Sequence, residues 1–299
     1  MNPEANVRLT ASKMLADVLP PALFVCVLTI LAGALYELNN PLVQYIAGNN
    51  LQYHLAGTSA PSEFSVALIY VIPTIVFTFA MAYLVKRKKK AWVLPVILGT
   101  AFVVSSAMIV LLAYWWVGWD VAIAIPFFLG GAFLFSTRSR IPKFWSPLLR
   151  LPFQVWLGTG TAMLMVLVFP LVTLLALCGI MAVWDVYAVL RGPLGKMVSG
   201  MKEGDEMNEE HGGRINIGNM LMAQVGGSGI GLGDIVFYSI ITMIAFGLSA
   251  LTGVLMIAVI ALGAFITFYI LRTRKRLALP GLPIPMLFGF VVLLGAWVH

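Results

Sequence analysis

Two uninterrupted apolar stretches constrain the fold of this chain more than any other feature. They run from Leu151 to Leu190 and from Ile230 to Leu271, and each contains a single charged residue. A helix needs roughly 20 residues to cross a bilayer, so each stretch is long enough for two crossings. Pro170 breaks the first stretch, and a turn at Phe246 to Gly253 is expected to break the second.

The whole chain extends this pattern. Hydrophobic residues make up 61% of it and charged residues only 10%, whereas a soluble domain has about 25% charged residues. We therefore predict an all-α polytopic membrane protein with nine transmembrane helices. The predicted spans are, in order, Val18–Leu38, Phe64–Val85, Ala91–Trp115, Val121–Thr137, Pro152–Phe169, Leu171–Leu190, the two halves of Ile230–Leu271, and Leu282–Val298.

The basic residues orient these spans. All 19 Lys and Arg fall in segments that a nine-span chain places on one side of the membrane: the N-terminus, Lys86–Lys90, Arg138–Arg150, Arg191–Arg214 and Arg272–Arg276. Basic loops face the cytoplasm. The N-terminus is therefore predicted to be cytoplasmic and the C-terminus outside. Because the same rule accounts for the net charge of +7, we predict no nucleic-acid partner.

The chain is predicted to be a single membrane domain, residues 1–299, in three parts. Residues 1–191 form a six-helix part, residues 192–229 a flexible cytoplasmic loop, and residues 230–299 a three-helix part. The loop contains the polar stretch "GMKEGDEMNEEHGG", whose composition is typical of flexible segments.

Two carboxylates lie well inside predicted spans, namely Asp185 and Asp234. An ionisable side chain costs about 3 kcal/mol or more at such a position, and it usually faces a polar cavity. At 1.5 Å per residue, Asp185 is about 9 Å from the end of its span and Asp234 about 6 Å from the start of the next. The two spans run in opposite directions, so both carboxyls are predicted at similar depth near the cytoplasmic edge.

Carboxyls at matching depth are compatible with three roles. Two neighbouring carboxyls share a proton, so that one activates water while the other donates to a carbonyl, as in aspartic proteases. They could equally couple protons or cations in a transporter or ion-conducting protein, or form a buried structural contact between helices. The three histidines and two cysteines are scattered, and no metal site or cofactor is predicted.

Three motifs favour the first role. The stretches "WDVYAVLRGPLGKMV" (184–198), "GLGDIVFYS" (231–239) and "LALPGLPIPMLFG" (277–289) occur in order on the sixth, seventh and ninth predicted spans. Together they resemble the presenilin family of GxGD intramembrane aspartyl proteases, including its PAL motif. Two positions depart from the family pattern: Trp184 replaces a tyrosine, and Gly281 replaces an alanine, which is the smallest change in side chain.

The resemblance implies a presenilin-like fold and an endopeptidase that cleaves transmembrane helices near the cytoplasmic face without metal or organic cofactor. Asp185 and Asp234 would be catalytic. The implied partners are transmembrane-helix substrates and the lipid bilayer, and a homo-oligomer is compatible with it. The expected location is the cell membrane of an archaeon or another prokaryote. Residues implied to bind substrate are Gly231, Leu232, Gly233, Pro280, Gly281 and Leu282.

Several of these residues have structural explanations as well. Gly231 and Gly233 either punctuate the start of a helix or leave room for substrate backbone beside Asp234. Pro280 and the prolines that follow it either start a helix or keep the segment extended, so that an unwound substrate can pair with its edge. Tyr238 lies one helical turn after Asp234 and either orients the aspartate or packs in the core.

Overall fold

The computed structural model describes residues 3–48, 128, 145–191, 222–225, 228–273 and 280–298. Within these residues lie six long helices and one two-stranded hairpin. The helices are α1 (Pro3–Gly48), α2 (Trp145–Val168), α3 (Leu171–Leu190), α4 (Leu232–Leu248), α5 (Ala250–Thr273) and α6 (Pro283–Val298); the strands are β1 (Met222–Val225) and β2 (Ser228–Gly231). The predicted spans Phe64–Val85 and Ala91–Trp115 lie outside the described residues, and only Phe128 of the predicted span Val121–Thr137 is described.

Both long apolar stretches are broken where the sequence predicts. Pro170 separates α2 from α3, because proline cannot continue the hydrogen bonding of the preceding turn. Ser249 separates α4 from α5 inside the predicted turn, and its Oγ accepts the backbone N–H of Thr252 at 3.0 Å. This serine therefore caps the start of α5.

The described helices are those of an integral membrane protein. Four stretches are long and apolar enough to cross a membrane: Met14–Leu38, Arg150–Val168, Leu171–Val189 and Ala250–Thr273. Helices α4 and α6 are apolar but have only 17 and 16 residues. At 1.5 Å per residue their lengths are about 25 Å, slightly less than a hydrocarbon core of about 30 Å.

Helix α4 lies at the centre of the described core. It packs against α1, α2 and α5, and it also contacts α3 and α6. Every residue from Phe237 to Ala245 is buried, as expected for a helix that is apolar on all sides. Two of its buried hydroxyls, on Ser239 and Thr242, donate to their own helix at 2.8 and 2.7 Å. The middle of α4 is therefore enclosed by the surrounding helices.

A β-hairpin is the main departure from the all-α prediction. Strands β1 and β2 pair antiparallel, with Met222 opposite Gly231 and Val225 opposite Ser228. This hairpin occupies the end of the segment predicted as flexible loop and the first two residues of the predicted seventh span. The sequence between the strands is Gly226-Gly227, a pair that favours tight hairpins. Strand β2 ends at Gly231, and α4 begins at the next residue.

Contacts between α1, α4 and α5 define the two ends of the described bundle. Arg272 near the end of α5 forms a salt bridge of 3.2 Å with Asp17 of α1. Farther along α1, Tyr36 lies beside Gly247 at the end of α4. Helices α1 and α4 therefore run in the same direction, and Asp234 at the start of α4 lies toward the end that carries the salt bridge. The positive-inside rule predicts that this end is cytoplasmic.

Close packing of α5 on α6 depends on Gly263. A Cβ atom at this position would lie 2.6 Å from Cα and 2.9 Å from N of Pro285, in the first turn of α6. Small residues of this kind allow the backbones of membrane helices to approach closely. The contact fixes where α6 begins and hence where the preceding segment lies.

We predict that Gly263→Ala lowers stability, whereas Gly295→Ala in α6 does not. The first substitution forces two backbones apart and should cost about 1–3 kcal/mol. A Cβ at Gly295 meets no atom of the described residues within 4 Å. Both positions are helical, so the change in helix propensity is the same. Thermal unfolding in detergent measures the difference, and equal melting temperatures would contradict this packing.

Candidate functional site

Asp185 lies in the last turns of α3 and is half-buried. Its Oδ2 accepts the backbone N–H of Leu282 at 3.1 Å, although the two residues are 97 positions apart. The backbone of Gly281 also interacts with this carboxyl. Backbone donors are strong partners for a carboxylate in a setting with little water. The contact fastens the end of α3 to the segment that precedes α6.

Asp234 lies in the first turn of α4 and is also half-buried. Its Oδ2 accepts the backbone N–H of Gly231 at 3.2 Å, in the manner of a capping box. A carboxylate in the first turn is further stabilised by the helix dipole. Part of the reason for an acidic residue here is therefore structural: it closes the junction between β2 and α4.

The two carboxyls converge on one short stretch of chain. Asp185 contacts Leu282, and a Cβ atom added to Gly281 would lie 2.8 Å from Cγ of Asp234 and closer still to its Oδ2. Asp185 and Asp234 are near enough to interact electrostatically. The structure thus brings together both carboxylates that the sequence singles out, at the same end of the bundle.

The stretch between them, Pro280–Leu282, is not helical. Pro280 and Leu282 are buried, and Pro283 begins α6, where proline is well tolerated. The helix-start explanation therefore applies to Pro283. Leu282 packs in the core rather than along an open edge, with only 3% of its surface exposed. Its backbone N–H donates to the Asp185 carboxylate.

The two glycines before Asp234 differ in their surroundings. Gly231 is half-buried and ends β2 as the cap of α4, with its backbone bound to Asp234. Gly233 is exposed, and a Cβ there meets no described atom within 4 Å. Leu232 between them is half-buried. Gly231 thus has a structural role as the cap of α4. The free space beside Asp234 among the described residues is at Gly233.

Sequence reasoning missed two features of the site. Tyr238 neither bonds to an aspartate nor merely packs, because its hydroxyl donates to the carbonyl oxygen of Gly281 at 2.8 Å. The glycine at position 281 is also more than a minor change from alanine, since a methyl group there would collide with Asp234. Neither contact can be read from the sequence, because the residues that it joins are more than 40 positions apart.

Trp184, which replaces the family's tyrosine, is half-buried, and its ring lies 5.4 Å from that of Tyr187. Within the described residues, no group of three or more His, Cys, Asp or Glu could hold a metal ion. The groups that the structure brings together here are two carboxyls, with backbone N–H and C=O groups around them.

Comparison with known proteins supports this fold. No protein-family model and no curated protein matches the sequence. A crystal structure of a presenilin family intramembrane aspartate protease matches in three dimensions with a TM-score of 0.57 and 16% sequence identity. The match covers 93% of this chain and 100% of that one. The predicted presenilin-like fold is thereby confirmed; at this identity the match speaks to the fold alone.

We predict that Gly281→Ala lowers stability and that Gly233→Ala does not. The new methyl group at position 281 must displace either the Asp234 carboxyl or the segment that contains it, at a cost of about 1–3 kcal/mol. The methyl group at position 233 enters open space. Melting temperatures of the two variants in detergent provide the test. A Gly281→Ala protein as stable as the wild type would show that the two residues are not in this contact.

Proposed function

We propose that this protein is an intramembrane aspartic endopeptidase that hydrolyses peptide bonds in transmembrane helices, with Asp185 and Asp234 as its catalytic pair. One observation carries the proposal: two carboxyls from different helices meet on a single non-helical segment near one end of an apolar bundle. Ionisable side chains are energetically costly inside an apolar bundle, and those found there usually have a function. The presenilin-like fold is consistent with this role.

The reaction follows from a shared proton. The ionised carboxyl removes a proton from water, and the resulting oxygen nucleophile attacks the carbonyl carbon of the scissile peptide. The protonated carboxyl donates a hydrogen bond to the carbonyl oxygen, which becomes more negative as the bond forms. A proton then passes to the amide nitrogen, and the C–N bond breaks to leave a new carboxyl and a new amine. Neither metal nor organic cofactor enters these steps.

Substrate backbone must become accessible before this reaction. The peptide bonds of a transmembrane helix are shielded, and once the helix unwinds, its N–H and C=O groups need partners. An extended stretch of the enzyme can supply them by strand addition. Gly231, Leu232 and Gly233 on one side, with Pro280, Gly281 and Leu282 on the other, are the proposed contacts. The open space at Gly233 is suited to close approach of substrate beside Asp234.

The natural setting follows from the charge pattern. Basic segments predict that the aspartates lie near the cytoplasmic face of a multi-pass protein with a cytoplasmic N-terminus. Water can reach that depth more easily than the centre of the bilayer. The proposed location is the cell membrane of an archaeon or other prokaryote, with transmembrane-helix proteins as substrates and no nucleic-acid partner.

The central prediction concerns Asp185→Asn and Asp234→Asn. Each amide oxygen can still accept the backbone N–H that the carboxylate accepts now, but neither amide can act as acid or base. We expect each variant to lose cleavage of a tagged transmembrane reporter by about 100-fold or more while keeping its melting temperature. The control is Asp17→Asn, which removes a carboxylate whose side chain is 37% exposed at the same end. Full cleavage by either aspartate variant rules out the proposed pair.

A carboxylate-coupled transporter or ion-conducting protein is the alternative, because the same two residues could carry protons or cations. It predicts ion flux into liposomes that both Asn substitutions abolish, with no cleavage of the reporter. A protease predicts the reverse, together with inhibition by a transition-state analogue of aspartic proteases. A membrane scaffold without catalysis predicts neither activity. Reconstituted wild-type protein therefore separates all three.

A further inference from the structure

Tyr238 and Asp185 bind opposite sides of one peptide group. The carbonyl oxygen of Gly281 accepts the Tyr238 hydroxyl at 2.8 Å, and the N–H of Leu282 donates to Oδ2 of Asp185 at 3.1 Å. These two groups belong to the same peptide bond. Because a peptide unit is planar and rigid, a partner that fixes the direction of its C=O also fixes the direction of its N–H.

The hydroxyl of Tyr238 is well placed to act as an anchor. The side chain is only 3% exposed and lies on α4, which is surrounded by other helices. Tyr238 is one helical turn after Asp234, so its ring and that carboxyl are attached to the same rigid element. Its electrostatic environment includes both Asp234 and Asp185. Among the three buried hydroxyls of α4, those of Ser239 and Thr242 bond within the helix, whereas that of Tyr238 reaches another segment.

A simpler explanation is that the Gly281 carbonyl only satisfies a buried phenol, which needs a partner in the absence of water. That explanation accounts for one hydrogen bond. It does not account for the second bond of the same peptide to Asp185, nor for the contact of Gly281 with Asp234.

We propose that Tyr238 is a positioning residue: through the Gly281–Leu282 peptide it sets the position of the Asp185 carboxyl relative to Asp234. Within the described residues, the end of α3 is joined to the Pro280–Leu282 segment by the hydrogen bond between Asp185 and Leu282. Tyr238 ties it to the helix that carries the other aspartate. The catalytic consequence rests on the function proposed above.

The substitution that tests this is Tyr238→Phe, which removes one oxygen and keeps the ring. We expect kcat for a transmembrane reporter to fall by about 10- to 100-fold, since misplacing a catalytic group by about 1 Å costs up to about 100-fold. The effect should fall on kcat more than on KM, because the hydroxyl that is removed is not among the proposed substrate contacts. The affinity for a transition-state-analogue inhibitor should fall in parallel with kcat/KM.

Ser239→Ala is the matched control. It also removes one buried hydroxyl from α4, but that hydroxyl donates to Ile235 of the same helix at 2.8 Å. We expect Ser239→Ala to cleave with wild-type kcat and KM. A Tyr238→Phe protein with wild-type kcat overturns the proposal, and so does an equal loss of kcat in both variants.

A second measurement does not depend on proteolysis. Melting temperatures of the wild type, Tyr238→Phe, Asp185→Ala and the double variant form a cycle, and residues in one hydrogen-bond network give shifts that do not add. We expect this cycle to be non-additive and the corresponding cycle of Ser239→Ala with Asp185→Ala to be additive. Additive shifts in the first cycle overturn the link. If the wild type cleaves nothing, the proposed function fails while this cycle still decides the link between Tyr238 and Asp185.

Discussion

The site depends on a requirement imposed by its surroundings: a carboxylate in a dry helical bundle needs hydrogen-bond donors. Asp185 obtains one from Leu282, and Asp234 obtains one from Gly231. Neither donor is available inside a regular helix, where backbone N–H groups are already bonded. The carboxylates are therefore found where helices begin or break, at the junction of β2 with α4 and beside the non-helical Pro280–Leu282 segment. Irregular backbone inside a membrane-spanning bundle is tolerated where it is enclosed by protein.

The rest of the described structure fixes the positions of the β2–α4 junction and the Pro280–Leu282 segment. Helix α4 is packed on all sides, so Asp234 and Tyr238 share a rigid support. Gly263 lets α5 approach the first turn of α6, which fixes the end of the Pro280–Leu282 segment. Gly281 then allows that segment to lie against Asp234. Small residues thus set the distances between the helices and segments of the site.

Much of the fold could be predicted from the sequence because membrane-spanning helices are visible in it as long apolar stretches. Apolar length predicts spans, Pro170 and the stretch around Ser249 predict breaks, and both breaks lie where expected. The hairpin could not be predicted, because four-residue strands carry too little periodicity and the glycines beside them have several explanations. Its effect is to end the predicted loop in ordered strands and to start α4 two residues later, at Leu232.

For the candidate site, the sequence by itself determined which ionisable groups are present and predicted their approximate depth. Asp185 and Asp234 stand out because charge is costly in an apolar span, and that cost depends only on local composition. The tertiary structure alone decided how these groups are held: that Leu282 is the donor to Asp185, that Tyr238 reaches Gly281, and that position 281 has no room for a methyl group. Each of these contacts joins residues more than 40 positions apart. Their geometry arises from how the helices pack, which no local pattern of residues records.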